Sequence, residues 1–224
     1  MTPIAQALNQ AMQNYQAGRI QQAEELCRQI LSVDPQCIDA LEQRVATHSA
    51  TNQIRLIPGD ANRVIEEVLA AMPTYGPQQK VLAFCFVDPF KLSNLEFETI
   101  HKIATRFVDF LVHIPAMDPL RAEATYTSAG NGVLDKFLGR TDWRRDWEHQ
   151  KSQTAFDVFV ADQFSNSMNT LDYKYGGLRD AVMVRSTNKN LPLYRLGFFS
   201  RNKLGADFWR EARKYSNPQL ELFS

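Results

Sequence analysis

Residues 81–90 read Val-Leu-Ala-Phe-Cys-Phe-Val-Asp-Pro-Phe, and this stretch decides how the central part of the chain is organised. Seven apolar residues run without a break from Val81 to Val87, as in a parallel strand that is covered on both faces. Asp88-Pro89 ends the strand, since proline has no N–H group to continue a β-ladder. The stretch therefore predicts a buried strand with an acidic turn at its carboxyl end.

The turn after this strand carries the residue types of a ligand site. Ligands of open α/β sheets bind beyond the carboxyl ends of the strands. The Asp88 carboxylate could accept a hydrogen bond from an amine there, and the Phe90 ring could stack on a planar base. Pro89 stiffens the turn between them. We therefore take Asp88, Pro89 and Phe90 as candidate catalytic residues, although the same tripeptide also occurs in ordinary turns.

Strands and helices alternate around this stretch. Apolar patterns predict strands at 54–57, 81–87, 107–114, 181–186 and 193–200, and helices at 61–72, 96–106, 152–170 and 203–215. The last two strands are joined by a short polar loop, which predicts an antiparallel pair. We expect an α/β fold with a sheet of about five strands, one of them antiparallel, in which Ile54–Ile57 pairs directly with Val81–Val87.

The first 45 residues have a different, helical pattern. Apolar residues recur every three or four positions on both sides of Ala17-Gly18-Arg19, which predicts two helices joined by a turn. Ala23 and Leu26 occupy close-packing positions, and Asp34-Pro35 ends the second helix. Residues 4–45 resemble a tetratricopeptide repeat. One such repeat cannot bury its apolar face alone, so we expect it to pack on another domain, another copy or a protein partner.

The polar stretch 46–53 looks like a linker, which divides the chain into domains at 1–48 and 49–224. Composition suits a soluble globular protein: 44% of the 224 residues are hydrophobic and 22% are charged. No membrane helix or signal peptide is visible. The three cysteines lack CxxC spacing, and the four histidines lack ligand spacing, which argues against disulfides and a metal site. We expect a cytoplasmic protein.

Charge is unevenly distributed although the net charge is zero. Residues 174–224 contain ten basic and four acidic residues, and this basic segment is either a solvated face or a surface for nucleic acid. Trp143 and Arg144 place an aromatic ring beside a cation. That combination suits stacking on a base, but it suits the packing of a helix on the sheet equally well.

The chain from about residue 54 to residue 223 resembles the three-Cys-motif partner (TcmP) proteins, a bacterial family with a Rossmann-like methyltransferase fold. The motifs that carry the resemblance are GDAN at 59–62, FVDPF at 86–90, LEFETIHKIA at 95–104, VDFLVHIP at 108–115, Arg121, FLGRTDWR at 137–144 and LPLYRLGFFSRNKLGADFW at 191–209.

The resemblance implies S-adenosylmethionine as the cofactor, with Asp60 and Asn62 near its adenine end. It implies that Asp88 and Phe90 lie near the transferred methyl group. It also makes Arg121, Trp143 and Arg144 candidate substrate-binding residues.

The sequence departs from the family at the cofactor-binding half. Family members begin with a strand, a glycine-rich loop for the cofactor, and a second strand ending in an acid for the ribose. The ten glycines of this sequence form no strand–GxG–helix unit, and the repeat-like hairpin stands in that place. The resemblance therefore implies an incomplete Rossmann-like sheet.

Three functions remain open at this point. The first is a truncated, TcmP-like protein without independent methyl transfer, with an interaction appendage at its N-terminal side. The second is an active S-adenosylmethionine-dependent methyltransferase that acts on a base amine of nucleic acid, with the missing loop supplied by a second subunit. The third is a binding module for a protein partner through the hairpin and for nucleic acid through the basic segment. We expect no membrane partner, and a homo-oligomer is compatible with each function.

Overall fold

The computed structural model describes residues 3–34, 37–46, 54–78, 81–186 and 189–214. It divides the chain into two compact units, Met1–Asp60 and Ala61–Ser224. The predicted linker and the predicted boundary after residue 48 fall almost entirely on 47–53, outside the described residues.

The first unit is a row of three helices: α1 (Pro3–Gln16), α2 (Ile20–Val33) and α3 (Ile38–Ala46). Gly18 adopts a φ of 74°, a left-handed conformation that glycine reaches without steric cost, and it turns the chain between α1 and α2. The unit has a small core of its own, formed by Ala11, Cys27, Ile30 and Ala40. The predicted helical hairpin is present, and its assignment to the tetratricopeptide class stays a prediction.

The second unit combines helices with a sheet. Its α-helices are α4 (Ala61–Ala71), α5 (Phe97–Ile103), α6 (Met117–Thr127), α7 (Val133–Leu138), α8 (Trp143–Gln150), α9 (Phe156–Thr170) and α10 (Lys203–Arg213). Two short 3₁₀ helices lie at Leu92–Asn94 and Leu178–Asp180. The strands are β1 (Ala83–Val87), β2 (Val108–Pro115), β3 (Tyr175–Gly176), β4 (Val182–Arg185) and β5 (Pro192–Ser200).

These strands form one mixed sheet in which β1 pairs with β2 in parallel and β2 pairs with β5 antiparallel. β3 and β4 both pair with β5 antiparallel. The α/β class and the five strands are confirmed, but the expectation of a single antiparallel strand is wrong. The sheet is mostly antiparallel because β5 returns from its hairpin with β4 and enters the sheet beside β2 in the opposite direction.

The expected strand at Ile54–Ile57 is also wrong. The stretch has no strand conformation, and β2 is the strand that pairs with β1 within the described residues. The stretch is only four residues long, and Pro58 after it has no N–H group for strand pairing. Because Ile54 is exposed, pairing with a neighbouring strand would bury little apolar surface. The fifth strand of the sheet is instead the two-residue β3, where Gly176 has a φ of 103° and its backbone approaches the Phe198 carbonyl too closely for a side chain.

The two faces of the sheet differ in how they are covered. One face carries the large core of the unit, where Phe110 of β2 is fully buried together with side chains of α5, α7 and α9 such as Ile100, Phe137 and Phe164. α10 covers part of the other face, where the Trp209 ring stacks on Phe198 with centroids 5.5 Å apart. None of the described helices is long and apolar enough to span a bilayer.

Candidate functional site

A carboxylate and an imidazole meet at the carboxyl end of β1, beside the neighbouring strand β2. The parallel register pairs Val87 of β1 with Val112 of β2, so the next residues, Asp88 and His113, lie side by side. The Nδ1 atom of His113 is 2.5 Å from the Oδ1 atom of Asp88, within hydrogen-bond distance. Strand pairing therefore builds the contact between residues that are 25 positions apart in the sequence.

The two partners differ in their exposure. The side chain of Asp88 is 61% exposed, whereas that of His113 is 16% exposed. The Tyr194 ring packs edge-on against the imidazole, with ring centroids 4.1 Å apart. A carboxylate on Nδ1 fixes the orientation of a histidine ring and leaves Nε2 as its second polar atom. The arrangement can accept or donate one proton at a defined position.

The turn that follows places an aromatic ring next to this pair in the sequence. Pro89 is buried and anchors the turn, whereas Phe90 is 90% exposed. An exposed aromatic ring beside a polar pair offers the two contacts that a planar amine needs, a stacking surface and a hydrogen-bond partner. The three predicted catalytic residues are consecutive in the sequence, and the structure adds His113 through its contact with Asp88.

The side chain of Asn62, a candidate cofactor-binding residue, connects α4 to the start of α5. Its Oδ1 atom accepts hydrogen bonds from the Glu96 backbone N–H (2.9 Å) and the Thr99 hydroxyl (2.8 Å). Its Nδ2 atom donates to the Asn94 carbonyl at 3.1 Å. These bonds satisfy backbone groups at the beginning of a helix. Asp60, the other candidate, is exposed in the first unit.

The candidate substrate-binding residues on α8 are held by their own neighbours. Trp143 is fully buried, and its Nε1 atom donates to the Asp135 carboxylate at 2.7 Å. Arg144 donates to the same carboxylate at 2.6 Å and to the Asn131 carbonyl, and its guanidinium lies 4.4 Å from the centroid of the Trp143 ring. These contacts occupy Nε1 of Trp143 and the two terminal nitrogens of Arg144, whereas the buried Nε atom of Arg144 has no hydrogen-bond partner among the described residues. Arg121 is exposed on α6.

Half of the ten basic residues of the segment 174–224 form ion pairs in the described part of the chain. The pairs are Lys174 with Asp172, Arg195 with Asp157, Arg210 with Asp207, Arg213 with Asp180 and Lys214 with Glu211. Arg201 lies over the Tyr173 ring, 4.4 Å from its centroid. Nearby carboxylates therefore neutralise part of the positive charge that the sequence concentrates here.

Side chains of the metal-ligand types do not gather into larger groups in the described part of the chain. It contains no cluster of three or more His, Cys, Asp or Glu side chains that could hold a metal ion. His101 contacts Glu98, and His149 contacts the Arg145 carbonyl; His48 lies outside the described residues. Burial raises the pKa of the Cys85 thiol to about 11, so this cysteine is protonated at neutral pH.

A shallow, open cavity of about 320 Å³ lies elsewhere in the second unit. It is lined by Ser93, Leu95, Glu96, Gly132, Val133 and Lys136. Two of these lining residues, Lys136 and Glu96, form an ion pair in which Nζ and Oε1 are 2.8 Å apart. None of the predicted site residues lines this cavity.

No protein-family model, no curated protein and no solved structure matches this chain. The resemblance to the three-Cys-motif partner family therefore stays a prediction from the sequence motifs.

Sequence reasoning missed His113, which it treated as one of four structural histidines without ligand spacing. The signal was present in the two predicted strands. If 83–87 and 108–112 are aligned as neighbouring parallel strands, the next residue is Asp88 in one strand and His113 in the other. Only the register, which the sequence leaves open by one or two residues, was needed to pair them.

Proposed function

We propose that the second unit is a methyltransferase-like binding domain that holds a planar amine or base at Asp88, His113 and Phe90. We propose also that this chain alone does not transfer methyl groups. The observation that carries the proposal is the 2.5 Å contact between Asp88 and His113 at the carboxyl end of β1, with exposed Phe90 two residues after Asp88.

Two features support the part of the proposal that concerns methyl transfer. The 224 residues contain no strand–GxG–helix unit, which is the element that would cradle the methionine end of S-adenosylmethionine. In addition, both polar atoms of the Asn62 amide already make hydrogen bonds to residues 94–99. A cofactor that used this amide would have to displace them.

Calorimetric titration of the full chain with S-adenosylmethionine tests this point. We expect no saturable heat in the micromolar range, and micromolar binding would overturn the proposal. Transfer of a labelled methyl group from the cofactor to DNA or RNA is the second measurement. Incorporation that is present in the wild type and lost in Asp88→Ala would instead favour the active base-amine methyltransferase.

Titration with adenosine and cytidine, followed by NMR, tests the binding part. Stacking of a base on an aromatic ring contributes about 1–3 kcal/mol, so we expect Phe90→Ala to weaken binding about ten-fold or more. Leu120→Ala is the matched control, because Leu120 is an exposed apolar residue of α6 outside the proposed site. Equal affinity of the wild type and Phe90→Ala, or no binding by either, would contradict the proposal.

A second function, protein docking, is favoured by the surface of the first unit. Val33 is 76% exposed, and Ile38 and Leu41 at the following helix are each more than 40% exposed. Exposed apolar side chains on stacked helices are typical of interaction surfaces. A photo-reactive side chain at Leu41 should capture one discrete polypeptide, whereas the same group at exposed Gln21 on α2 should not. Identical adducts at both positions would argue against a docking surface.

A further inference from the structure

The outer strand of the sheet exposes large apolar side chains. Leu82, Phe84 and Phe86 are 67%, 61% and 55% exposed, whereas the alternate residues of β1 pack against the core. α10 lies over β5 and reaches Asp109 of β2. Its Gly205 comes so close that a Cβ atom on this glycine would be 2.8 Å from the Asp109 carboxylate. The helix therefore covers the middle of this face and leaves the β1 side bare. We call Leu82, Phe84 and Phe86 the β1 edge.

The backbone of the β1 edge is also available for pairing. The Ala83 N–H donates to the Phe107 carbonyl at 3.1 Å, so Ala83 directs its backbone groups at β2. Backbone groups alternate in direction along a parallel strand, so those of Leu82, Phe84 and Phe86 point away from β2. Among the described residues, no strand pairs with this side of β1. An apolar strand with open donors and acceptors is a template for another strand.

We propose that the β1 edge joins two copies of this chain, with their β1 strands antiparallel across a two-fold axis. A two-fold axis brings the same surface of both copies together, so the surface must complement itself. The stretch from Val81 to Val87 contains no charged residue, so no like charges oppose each other when it meets its own copy. This proposal does not depend on the proposed ligand site.

The register follows from the side chains that must match. With Phe84 on the axis, Phe84 faces its own copy and Leu82 faces Phe86, so all three exposed side chains find apolar partners on one face. A register centred on Cys85 would place Leu82 opposite the Asp88 carboxylate instead. The outward backbone groups of Phe84 then exchange two hydrogen bonds across the axis, at a Cα separation of about 5.5 Å.

The area involved suits a reversible dimer. Pairing one short strand and shielding about half of three large exposed side chains would bury less than about 1,000 Å² in total, in the range of weak, transient interfaces. We therefore expect a dissociation constant in the micromolar range, with monomer and dimer both present at working concentrations.

Sedimentation velocity of the full chain, from about 1 µM to about 100 µM, measures the association. We expect the mass to rise from monomer to dimer in the wild type. Phe84→Lys places two ammonium groups opposite each other on the axis and should leave a monomer throughout. Leu120→Lys adds the same charge at an exposed leucine of α6 and should dimerise like the wild type.

Cysteine cross-linking tests the register and does not depend on whether Phe84→Lys folds. Under a copper(II) oxidant, Phe84→Cys should form a reducible dimer, since residues directly opposite each other lie within disulfide range. Leu82→Cys should not, because it would face Phe86 and lie two ladder positions from the axis. A wild type that is monomeric throughout, a dimer that Phe84→Lys leaves intact, or equal cross-linking of both cysteine variants would overturn the proposal.

Discussion

The Nδ1 atom of His113 lies 2.5 Å from the Oδ1 atom of Asp88, and each residue directly follows the last paired apolar residue of its parallel strand. The carboxylate can only accept a hydrogen bond, so Nδ1 must carry the proton. The neutral imidazole is therefore the Nδ1–H tautomer, and the lone pair on its Nε2 atom can accept a proton from a ligand.

This relationship predicts the tautomer of His113. In ¹⁵N NMR at a pH where the ring is neutral, we expect the Nδ1–H form in the wild type. Asp88→Ala removes the acceptor, so the Nε2–H form should then gain population. His149 is the internal control, since its Nδ1 contacts a backbone carbonyl far from Asp88 in sequence and should not change. If His113 has the same tautomer in both proteins, the 2.5 Å contact does not orient the ring.

We predict that Asn62 stabilises the folded protein through its three hydrogen bonds at the start of α5. Asn62→Ala leaves the Glu96 N–H, the Thr99 hydroxyl and the Asn94 carbonyl without this partner, and we expect a loss of about 1–3 kcal/mol in the free energy of unfolding. Urea denaturation measures it. Asn166→Ala, which removes one exposed 3.4 Å hydrogen bond on α9, should change stability by less than about 0.5 kcal/mol.

An equal and small effect of both asparagine substitutions would show that the hydrogen bonds of Asn62 do not hold α5. Asn62→Asp separates the contributions further. This variant keeps an acceptor for the Glu96 N–H and the Thr99 hydroxyl and loses only the donor to the Asn94 carbonyl. Its free energy of unfolding should therefore lie between those of Asn62→Ala and the wild type.

Local patterns predicted much of the fold. The apolar stretches at 81–87 and 193–200 both contain strands, because length and turn residues at their ends distinguish them from helices. The expectation that the first strand is covered on both faces is wrong, because β1 is at the edge of the sheet and Phe84 and Phe86 are exposed. The pattern could not show which strands become neighbours. β5 lies beside β2 because its hairpin with β4 reverses the chain, and that is a matter of tertiary packing. The same limit explains why Asp88 was predicted and His113 was not, since only strand register joins them.

Arg195 shows how a charge pattern can mislead. The sequence places it in a basic segment, but the side chain is 10% exposed and lies 2.6 Å from the Asp157 carboxylate of α9, which is 5% exposed. Removing one partner of a buried ion pair leaves an uncompensated charge, which costs about 3–5 kcal/mol. We expect a loss of this size in the free energy of unfolding of Asp157→Ala, measured by urea denaturation.

The double replacement Asp157→Leu with Arg195→Met removes both charges and should recover most of that loss. Lys151→Ala is the control, because its ion pair with Glu148 is exposed and should contribute less than about 1 kcal/mol. A double variant as unstable as Asp157→Ala would mean that the two side chains act independently of each other.

Asp109 is predicted to make stability depend on pH. Burial raises the pKa of this carboxyl group, and a hydrogen bond with Ser200 opposes the rise without cancelling it. Because the folded-state pKa lies above the unfolded value, the stability that the group contributes is present at low pH and is lost as the pH rises through the folded-state pKa. Asp109→Asn keeps the shape of the side chain without the charge. The variant should therefore be no more stable than the wild type at low pH and should become progressively more stable than the wild type towards neutral pH.

Urea denaturation of both proteins across a pH series measures this difference. Asp172→Asn is the matched control, because a hydrogen bond from Lys174 lowers the pKa of Asp172. Its wild-type carboxylate stabilises the fold above the unfolded pKa, so that substitution should become more harmful as the pH rises. The two asparagine variants should thus diverge in opposite directions from the wild type. If the gap between Asp109→Asn and the wild type stays constant with pH, the Asp109 carboxyl group has the same pKa in the folded and unfolded chain.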